Sequence, residues 1–339
     1  MRSLFIICGS LLLLHGACAQ ITSMARPMNA LLALDPAVAG AHGAIGGALL
    51  HRSRDANGGA RCSSSVLVMD MALGATKRAK ADLRSGFGTG LLVSDERAGS
   101  PRTRTSTLAS MIAYHVRVGA FAKVGGGVQL GVQQRWSDLG DAAWGSQYNG
   151  LAYDPDRPSG EHFANAPRTV GDLGAGVHFQ YGREGSAREG RKQMHMRTGV
   201  AVQHLARPRL SSDPDGERMA RKWSAFALGA VGLGQHNTLE PFVQAAVEGG
   251  VPELQGGAMW YRTLAGKRSF AGPDHEWVCG LGSYARLSGN IIASASCRFA
   301  GFGAALSYEL AVGRWSAAMG SRGTSELVLF YEPAAGTRR

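Results

Sequence analysis

Apolar and polar residues alternate with a period of two over long runs of this sequence. In residues 194–204, MHMRTGVAVQH, methionine and valine alternate with histidine, arginine and glutamine, and residues 121–136 and 169–181 repeat the pattern. The second face of each run is rich in Gly, Ala, Gln and charged residues. A period of two is that of β-strands with two unlike faces. The spacing therefore predicts a chain built mainly of strands.

A β-sandwich would show the same alternation, so other features of the sequence must distinguish a sandwich from a barrel. The runs are about nine to eleven residues long, which is the length a tilted strand needs to cross a bilayer. The polar face is small and glycine-rich, as in a crowded or wet lumen. Only 18% of the residues are charged and 48 are glycine, whereas soluble domains are about 25% charged. We expect an all-β, transmembrane antiparallel β-barrel of about 14 strands, closed so that every backbone group is paired.

The expected barrel occupies residues 44–332. An even strand number places both ends of the barrel in the periplasm. Residues 137–168 and 207–221 then form external loops, and residues 333–339 form a C-terminal tail. The expected strands begin near Ala44, Ser65, Gly86, Thr107, Ala122, Val170, Met194, Lys222, Thr238, Gln255, Trp277, Asn290, Phe302 and Ser325.

Residues 1–19 are expected to be a cleaved signal peptide. Arg2 precedes an apolar run at residues 4–14, and Ala17-Cys18-Ala19 is a small-residue cleavage site. The run is too short for a transmembrane anchor. A lipoprotein signal ending at Cys18 would require a leucine-like residue at position 15, which is His15. The mature chain is therefore expected to be exported to a bacterial outer membrane.

Three cysteines remain after that cleavage, Cys62, Cys279 and Cys297. They make neither a disulfide framework nor a metal-ligand spacing. Cys279 and Cys297 fall near the same end of two adjacent expected strands. A cross-strand disulfide and two unbonded small residues both fit this placement, and we favour the second.

Residues 20–43 lie between the signal peptide and the first strand. They contain the segment MNALLALDPAVAG at residues 28–40, in which Pro36 ends any helix and Gly40 follows. We expect this segment at the periplasmic mouth of the barrel, with its leucines packed into the opening.

No catalytic, metal-binding or cofactor-binding residues are predicted. The glycines of GGGVQLG, residues 125–131, continue a strand and do not precede a helix, as a phosphate loop would require. His178, His195 and His204 fall on neighbouring strands without a nucleophile beside them. The net charge of +11 favours lipid headgroups or an acidic protein as partners over nucleic acid, which is not expected at a cell surface. Solvated basic loops that keep the barrel soluble during export account for the charge equally well.

Several patches resemble the PorP/SprF family of outer-membrane proteins of the type IX secretion system. In that family the signal peptide is followed by Asn, several Leu, and Asn-Pro-Ala-x-Ala-Gly. Further similar patches are GFGTGLLVSDERAG at residues 86–99, GDLGAGVHFQY at 171–181 and TGVAVQHLARP at 198–208. The residues here that match the opening motif, with Asp in place of the usual Asn before Pro, are Asn29, Leu31, Leu32, Asp35, Pro36 and Gly40.

The resemblance implies a non-enzymatic barrel that supports secretion or surface attachment of other proteins. Its implied partners are secreted proteins with C-terminal targeting domains or adhesins, periplasmic and outer-membrane components of the secretion system, and membrane lipid. The alternative is a diffusion channel or small-molecule transporter. The external loops supply candidate partner-contact residues, which are Trp144, Tyr148, Tyr153, Arg157, Arg209 and Arg218.

Overall fold

The computed structural model is a closed antiparallel β-barrel in which β1 pairs with β14. It describes residues 24–41, 45–55, 61–73, 85–98, 102–138, 145–158, 167–182, 194–209, 218–234, 236–264, 276–312 and 323–332. The expected signal peptide, residues 1–19, and the C-terminal tail, residues 333–339, lie outside the described residues. The expected all-β barrel of fourteen strands is confirmed.

Each strand pairs with its neighbours in sequence order. The strands are β1 Gly46–Asp55, β2 Arg61–Ala72, β3 Gly86–Ala98, β4 Arg102–Arg117, β5 Ala122–Asp138, β6 Arg168–Gly182, β7 Met194–Gln203, β8 Lys222–Gly232, β9 Asn237–Glu248, β10 Val251–Leu264, β11 Trp277–Arg286, β12 Asn290–Phe299, β13 Phe302–Ala311 and β14 Thr324–Tyr331. Seven of them begin at the expected residue, and the others differ by at most five residues.

Strands β4, β5 and β6 are longer than the nine to eleven residues expected. They have 16, 17 and 15 residues. The expected length of nine to eleven residues applies only to the apolar part of a strand, which crosses the bilayer. The three strands keep pairing past that part into polar sequence, as Arg135 of β5 does with Arg168 of β6.

Alternation sets which face of the sheet meets lipid. Along β5, Val128, Leu130 and Val132 point outward and are 60%, 67% and 48% exposed, whereas Lys123 and Gln129 point inward and are buried. Outward-facing leucines and valines recur around the barrel, which gives it an apolar outer belt of the kind that bilayer-spanning barrels carry. Aromatic pairs such as Phe87–Tyr114 lie at one edge of this belt, where membrane interfaces favour them.

The two ends of the barrel differ. At the terminal end, β1 begins and β14 ends; at the loop end are the connections at residues 139–167 and 204–221. The connection between β5 and β6 contains a 3-10 turn at Gly145–Gln147 and a bridge between Tyr148 and Tyr153. The described residues of the two longest connections, 145–158 and 204–209 with 218–221, therefore belong to the loop end.

Cys279 and Cys297 form a disulfide, so the preference for unbonded residues was wrong. The two cysteines are direct partners in the β11–β12 ladder and lie on its outward face. This register could not be read from sequence because it depends on the turn between the strands. In the described ranges no helix is long and apolar enough to cross a membrane.

Candidate functional site: a lumen filled by the N-terminal segment

Residues 24–41, which we call the plug segment, lie inside the barrel. They fold into two 3-10 helices, Pro27–Ala33 and Pro36–Val38. Each begins with proline at its first position, where the missing N–H costs nothing. Asp35 caps the second helix, because its Oδ1 accepts a hydrogen bond of 2.8 Å from the Ala37 amide. The apolar side chains of the segment are buried against the barrel wall.

The plug segment reaches further than the expected position at the mouth. Its last residues are at the terminal end, where the Gly40 amide donates to Asp70 Oδ2 at 2.8 Å. Its first residue is near the loop end, where Arg286, the last residue of β11, donates to the Met24 carbonyl at 2.8 Å. The segment can lie this deep because the inner wall is lined with small residues.

Glycines on β3, β5, β6 and β7 make the space for the plug segment. A Cβ atom on Gly127 would lie 2.6 Å from the Ala37 Cα, and one on Gly90 would lie 2.8 Å from Leu32 Cδ2. The atom met at Gly127 belongs to the backbone and cannot move aside, whereas the atom met at Gly90 is the end of a side chain. The glycines whose added Cβ would lie within 3.0 Å of the plug segment are Gly88, Gly90, Gly127, Gly176 and Gly199. The glycine-rich inner face predicted from sequence is therefore the seat of the segment.

Polar side chains of the wall bind the main chain of the plug segment. Ser224 Oγ donates to the Leu34 carbonyl at 2.7 Å, and Gln203 Nε2 donates to the Ala33 carbonyl at 3.0 Å. The Glu326 carboxylate accepts the amides of residues 25 and 26 at 2.6 and 2.9 Å. Further bonds of this kind come from His115 to Ala39 and from Gln255 to Ala25. The segment is thus held by bonds that satisfy its otherwise unpaired backbone groups.

Arg26 is the buried basic side chain of the plug segment, at 1% exposure. Its Nη2 donates to the Tyr261 hydroxyl at 2.9 Å, and its Nη1 lies 3.4 Å from Ser294 Oγ. Nearby, the Glu309 carboxylate pairs with Arg52 at 2.6 Å and Arg286 at 3.3 Å. Burial of these charges is tolerated because the Arg26 guanidinium is hydrogen-bonded and Glu309 is paired with two arginines.

These wall contacts were missed by sequence reasoning. The wall residues concerned are Gln203, Ser224, Gln255, Arg286 and Glu326. Each occupies an inward-facing position of its strand, so a signal was present in the alternation. What these side chains bind could not be predicted, because their partners are main-chain atoms of a segment that is distant in sequence.

Asp35 is fully buried beside two of the glycines, Gly176 and Gly199. Burial raises the pKa of its carboxyl to about 7, and the hydrogen bond from the Ala37 amide only partly offsets that effect. Its Oδ2 atom has no hydrogen-bond partner in the described part of the chain. The docked plug segment therefore favours a protonated Asp35 at neutral pH and below.

The family-motif residues are brought together by the structure. Leu31, Leu32, Asp35, Pro36 and Gly40 all contact or face the wall, and all except Gly40 belong to or cap the two 3-10 helices. Gly40 has a φ of +69°, and a Cβ there would lie 2.6 Å from Gly88. Only glycine fits this turn. Asn29 is half-buried in the first helix.

The expected partner-contact residues are split between two loops at the loop end. In the first loop, Tyr148 and Tyr153 pair, and Arg157 Nη1 donates to the Tyr148 carbonyl at 3.0 Å. In the second loop, Arg209 and Arg218 pair. Trp144 lies outside the described residues.

The histidines singled out from sequence are not assembled into a site. His178 and His195 are on the inner side of neighbouring strands, and His204 Nδ1 lies 3.0 Å from Asp172 Oδ2. Within the ranges that the structure describes, no group of three His, Cys, Asp or Glu side chains could hold a metal ion.

Residues 19–331 match the family model described as type IX secretion system membrane protein PorP/SprF. The chain belongs to the PorP/SprF family. The sequence resemblance is thereby confirmed over nearly the whole length, and the protein is an outer-membrane barrel of the type IX secretion system.

This PorP/SprF protein is similar in fold to several solved barrels. A Pseudomonas aeruginosa FadL homologue is 12% identical over 85% of this chain and 88% of its own, with a TM-score of 0.44. The CymD monoaromatic hydrocarbon channel is 12% identical over 93% of each chain, with a TM-score of 0.45. The β domain of the Bordetella autotransporter BrkA is 13% identical over 86% of this chain and 99% of its own, with a TM-score of 0.38. No curated protein matches the sequence.

Proposed function

We propose that this PorP/SprF protein is a closed barrel that anchors secreted proteins at the outer membrane and is not an open conduit. The observation that carries the proposal is the filled lumen, in which residues 24–41 are bonded to strands on several sides of the barrel. The proteins it serves would be those with C-terminal targeting domains, adhesins among them. No catalytic step is part of the proposal.

The energetics of the plug segment support a barrel that stays closed. Leu31, Leu32 and Val38 are 4%, 4% and 3% exposed. Burying one such side chain contributes about 1.5–3 kcal/mol. Withdrawal of the segment would also break the hydrogen bonds that join its main chain to Glu326, Ser224 and Gln203. Opening a path would therefore cost several interactions at once.

The proposed arrangement in the membrane follows from the two unlike ends. After removal of residues 1–19, the terminal end would face the periplasm and the secretion-system components there. The loop end, with Tyr148, Tyr153, Arg157, Arg209 and Arg218, would face outward and contact the secreted partner. Membrane lipid would surround the apolar belt.

Deletion of the gene tests the anchoring role. We expect proteins with C-terminal targeting domains to be lost from the cell surface or the secreted fraction, and to return when the gene is restored. An unchanged set of secreted and surface proteins would contradict the proposal. Affinity purification of the barrel from outer membranes, followed by mass spectrometry, would identify the partner.

Conductance in planar bilayers separates the anchor from the channel alternative. We expect the full-length barrel to be silent, and a variant lacking residues 24–41 to conduct. If both proteins conduct equally, the plug segment does not close the lumen and the channel alternative is favoured.

A further inference from the structure

Four arginines form a cluster at the loop end of the barrel. Arg135 of β5 and Arg168 of β6 are direct cross-strand partners. Arg209 and Arg218 pair across the loop between β7 and β8. The two pairs are joined because Arg168 Nε donates a hydrogen bond of 2.8 Å to the Arg209 carbonyl. We call these four residues the arginine cluster.

The arginine cluster has no acidic partner in the part of the chain that the structure describes. The ion pairs found there involve other arginines and His204. Asp172 is the nearest acidic residue along the inner face of β6, but its Oδ2 lies 3.0 Å from His204 Nδ1 and so already has a partner. Like charges placed directly opposite on paired strands are unfavourable. An anion bound between the guanidinium groups would remove this repulsion.

The direction of these side chains indicates which anion can reach them. Arg135 shares the inward-facing positions of β5 with the buried Gln129, and Arg168 shares those of β6 with the buried Asp172. The outward positions beside them carry Trp136, which is 40% exposed on the lipid side. Headgroups of the surrounding leaflet lie on that outer side, so the cluster faces a ligand that arrives from solution above the plug segment.

We propose that the arginine cluster binds a carboxylate-rich segment of a protein partner. Guanidinium groups bind carboxylates in a bidentate manner, and arginine clusters are a recurrent means of recognising acidic peptides. Arg135, Arg209 and Arg218 are exposed, so their donors are accessible. The inference rests on the proposed anchoring function, for which it supplies the chemistry of contact with the secreted protein.

Binding of a fluorescent oligoglutamate peptide to the full-length barrel in detergent tests the proposal. Two double variants, R135Q/R168Q and R209Q/R218Q, remove the two halves of the cluster. The control R97Q/R104Q removes the same charge from the same end of the barrel, but from arginines that pair with Asp95 at 3.3 and 2.6 Å on the outer face. Heat-modifiable migration on gels reports whether each variant is a folded barrel.

We expect the cluster variants to bind the peptide at least about tenfold more weakly than the wild type, because charged hydrogen bonds are lost. The control should bind as the wild type does, and raised salt should weaken the wild-type interaction. Equal loss in the control and the cluster variants would overturn the proposal, since net charge alone would then explain binding. Absence of binding to the wild type would overturn it as well.

Competition distinguishes other sources of the anion. Inorganic phosphate and lipopolysaccharide micelles are added to the peptide complex separately. If lipopolysaccharide displaces the peptide from the wild type at concentrations below that of the peptide, and the cluster variants no longer bind lipopolysaccharide, a glycolipid is the ligand and the protein-partner assignment is wrong. Displacement by inorganic phosphate only at concentrations far above that of the peptide supports a peptide site.

Surface display in cells separates this inference from the proposed function. If deletion of the gene abolishes display of the partner but a strain with R209Q/R218Q and R135Q/R168Q combined still displays it, the cluster proposal fails and the anchoring role stands. If gene deletion itself has no effect, the anchoring role fails. Loss of display in the combined variant, with a folded barrel and a normal control, supports both.

Discussion

Gly127→Ala is the sharpest test of the seat for the plug segment, because its neighbour supplies a matched control. The added Cβ at position 127 would lie 2.6 Å from the Ala37 Cα, 2.7 Å from its amide nitrogen and 2.7 Å from the Pro36 oxygen. All three are backbone atoms, so no flexible side chain can move aside. At position 126, on the outward face of the same strand, a Cβ would meet nothing within 4 Å.

The magnitude follows from the cost of overpacking. Introducing a methyl group into a closely packed interior costs about 1–3 kcal/mol. Replacing glycine by alanine in a strand also gains about 0.5–1 kcal/mol from reduced backbone entropy. That gain applies to both Gly127→Ala and Gly126→Ala. The difference between the two variants therefore isolates the contact with the plug segment, and we expect Gly127→Ala to be less stable by about 1–3 kcal/mol.

Urea unfolding in lipid vesicles, followed by tryptophan fluorescence, measures this difference. The cost is smaller than that of withdrawing Leu31, Leu32 and Val38 from the lumen, so we expect Gly127→Ala to stay closed in planar bilayers. Equal stability of the two variants would refute the close contact at Ala37. Channel activity in Gly127→Ala alone would show that the segment is held much more weakly than its burial indicates.

Two further predictions concern the bonds that hold the plug segment. Burial raises the pKa of Asp35 from an ordinary 3.8 to about 7, so the docked state of the plug segment binds more protons than the undocked state. Docking should therefore weaken as pH rises from about 4 to 7 and be constant above 7. The total loss of docking free energy is on the order of 4 kcal/mol. Asp35→Asn should abolish that dependence, as measured by protease cleavage at Leu31 or Leu32 across pH, whereas a retained dependence would assign it to another group. Glu326→Gln should lower the urea midpoint by an amount equivalent to about 1–3 kcal/mol, because one of the two amides of residues 25 and 26 loses its acceptor and the other retains only a neutral one. An unchanged midpoint would mean that these amides do not contribute to docking.

The strands were predictable from sequence because their signal is local. Alternation fixes which residues face lipid, and it located the starts of strands such as β3, β5 and β7. The same alternation is seen in the last strand, where Leu327 and Leu329 lie on the outer face and are 46% and 49% exposed. Strand existence and facing direction need no information from elsewhere in the chain.

The interior was harder to predict because its contacts are distant in sequence. The glycines on the inner face indicated a crowded or wet lumen, but crowding by the N-terminal segment depends on contacts such as Asp35 with Gly176 and Gly199. The bond between Arg26 and Glu326 joins residues 300 positions apart. The Cys279–Cys297 disulfide depends on register, which a one-residue slip would change.

The position of Glu326 has a consequence for the order of assembly. This residue is on β14, the last strand to be synthesised, and it receives the amides of residues 25 and 26 near the start of the chain. Contacts between such distant parts of a chain form late, since loop closure must come first. Residues 25 and 26 therefore gain this acceptor only once β14 is in place, so a chain that ends before β14 would lack both the strand that closes the barrel and the acceptor for the start of the plug segment.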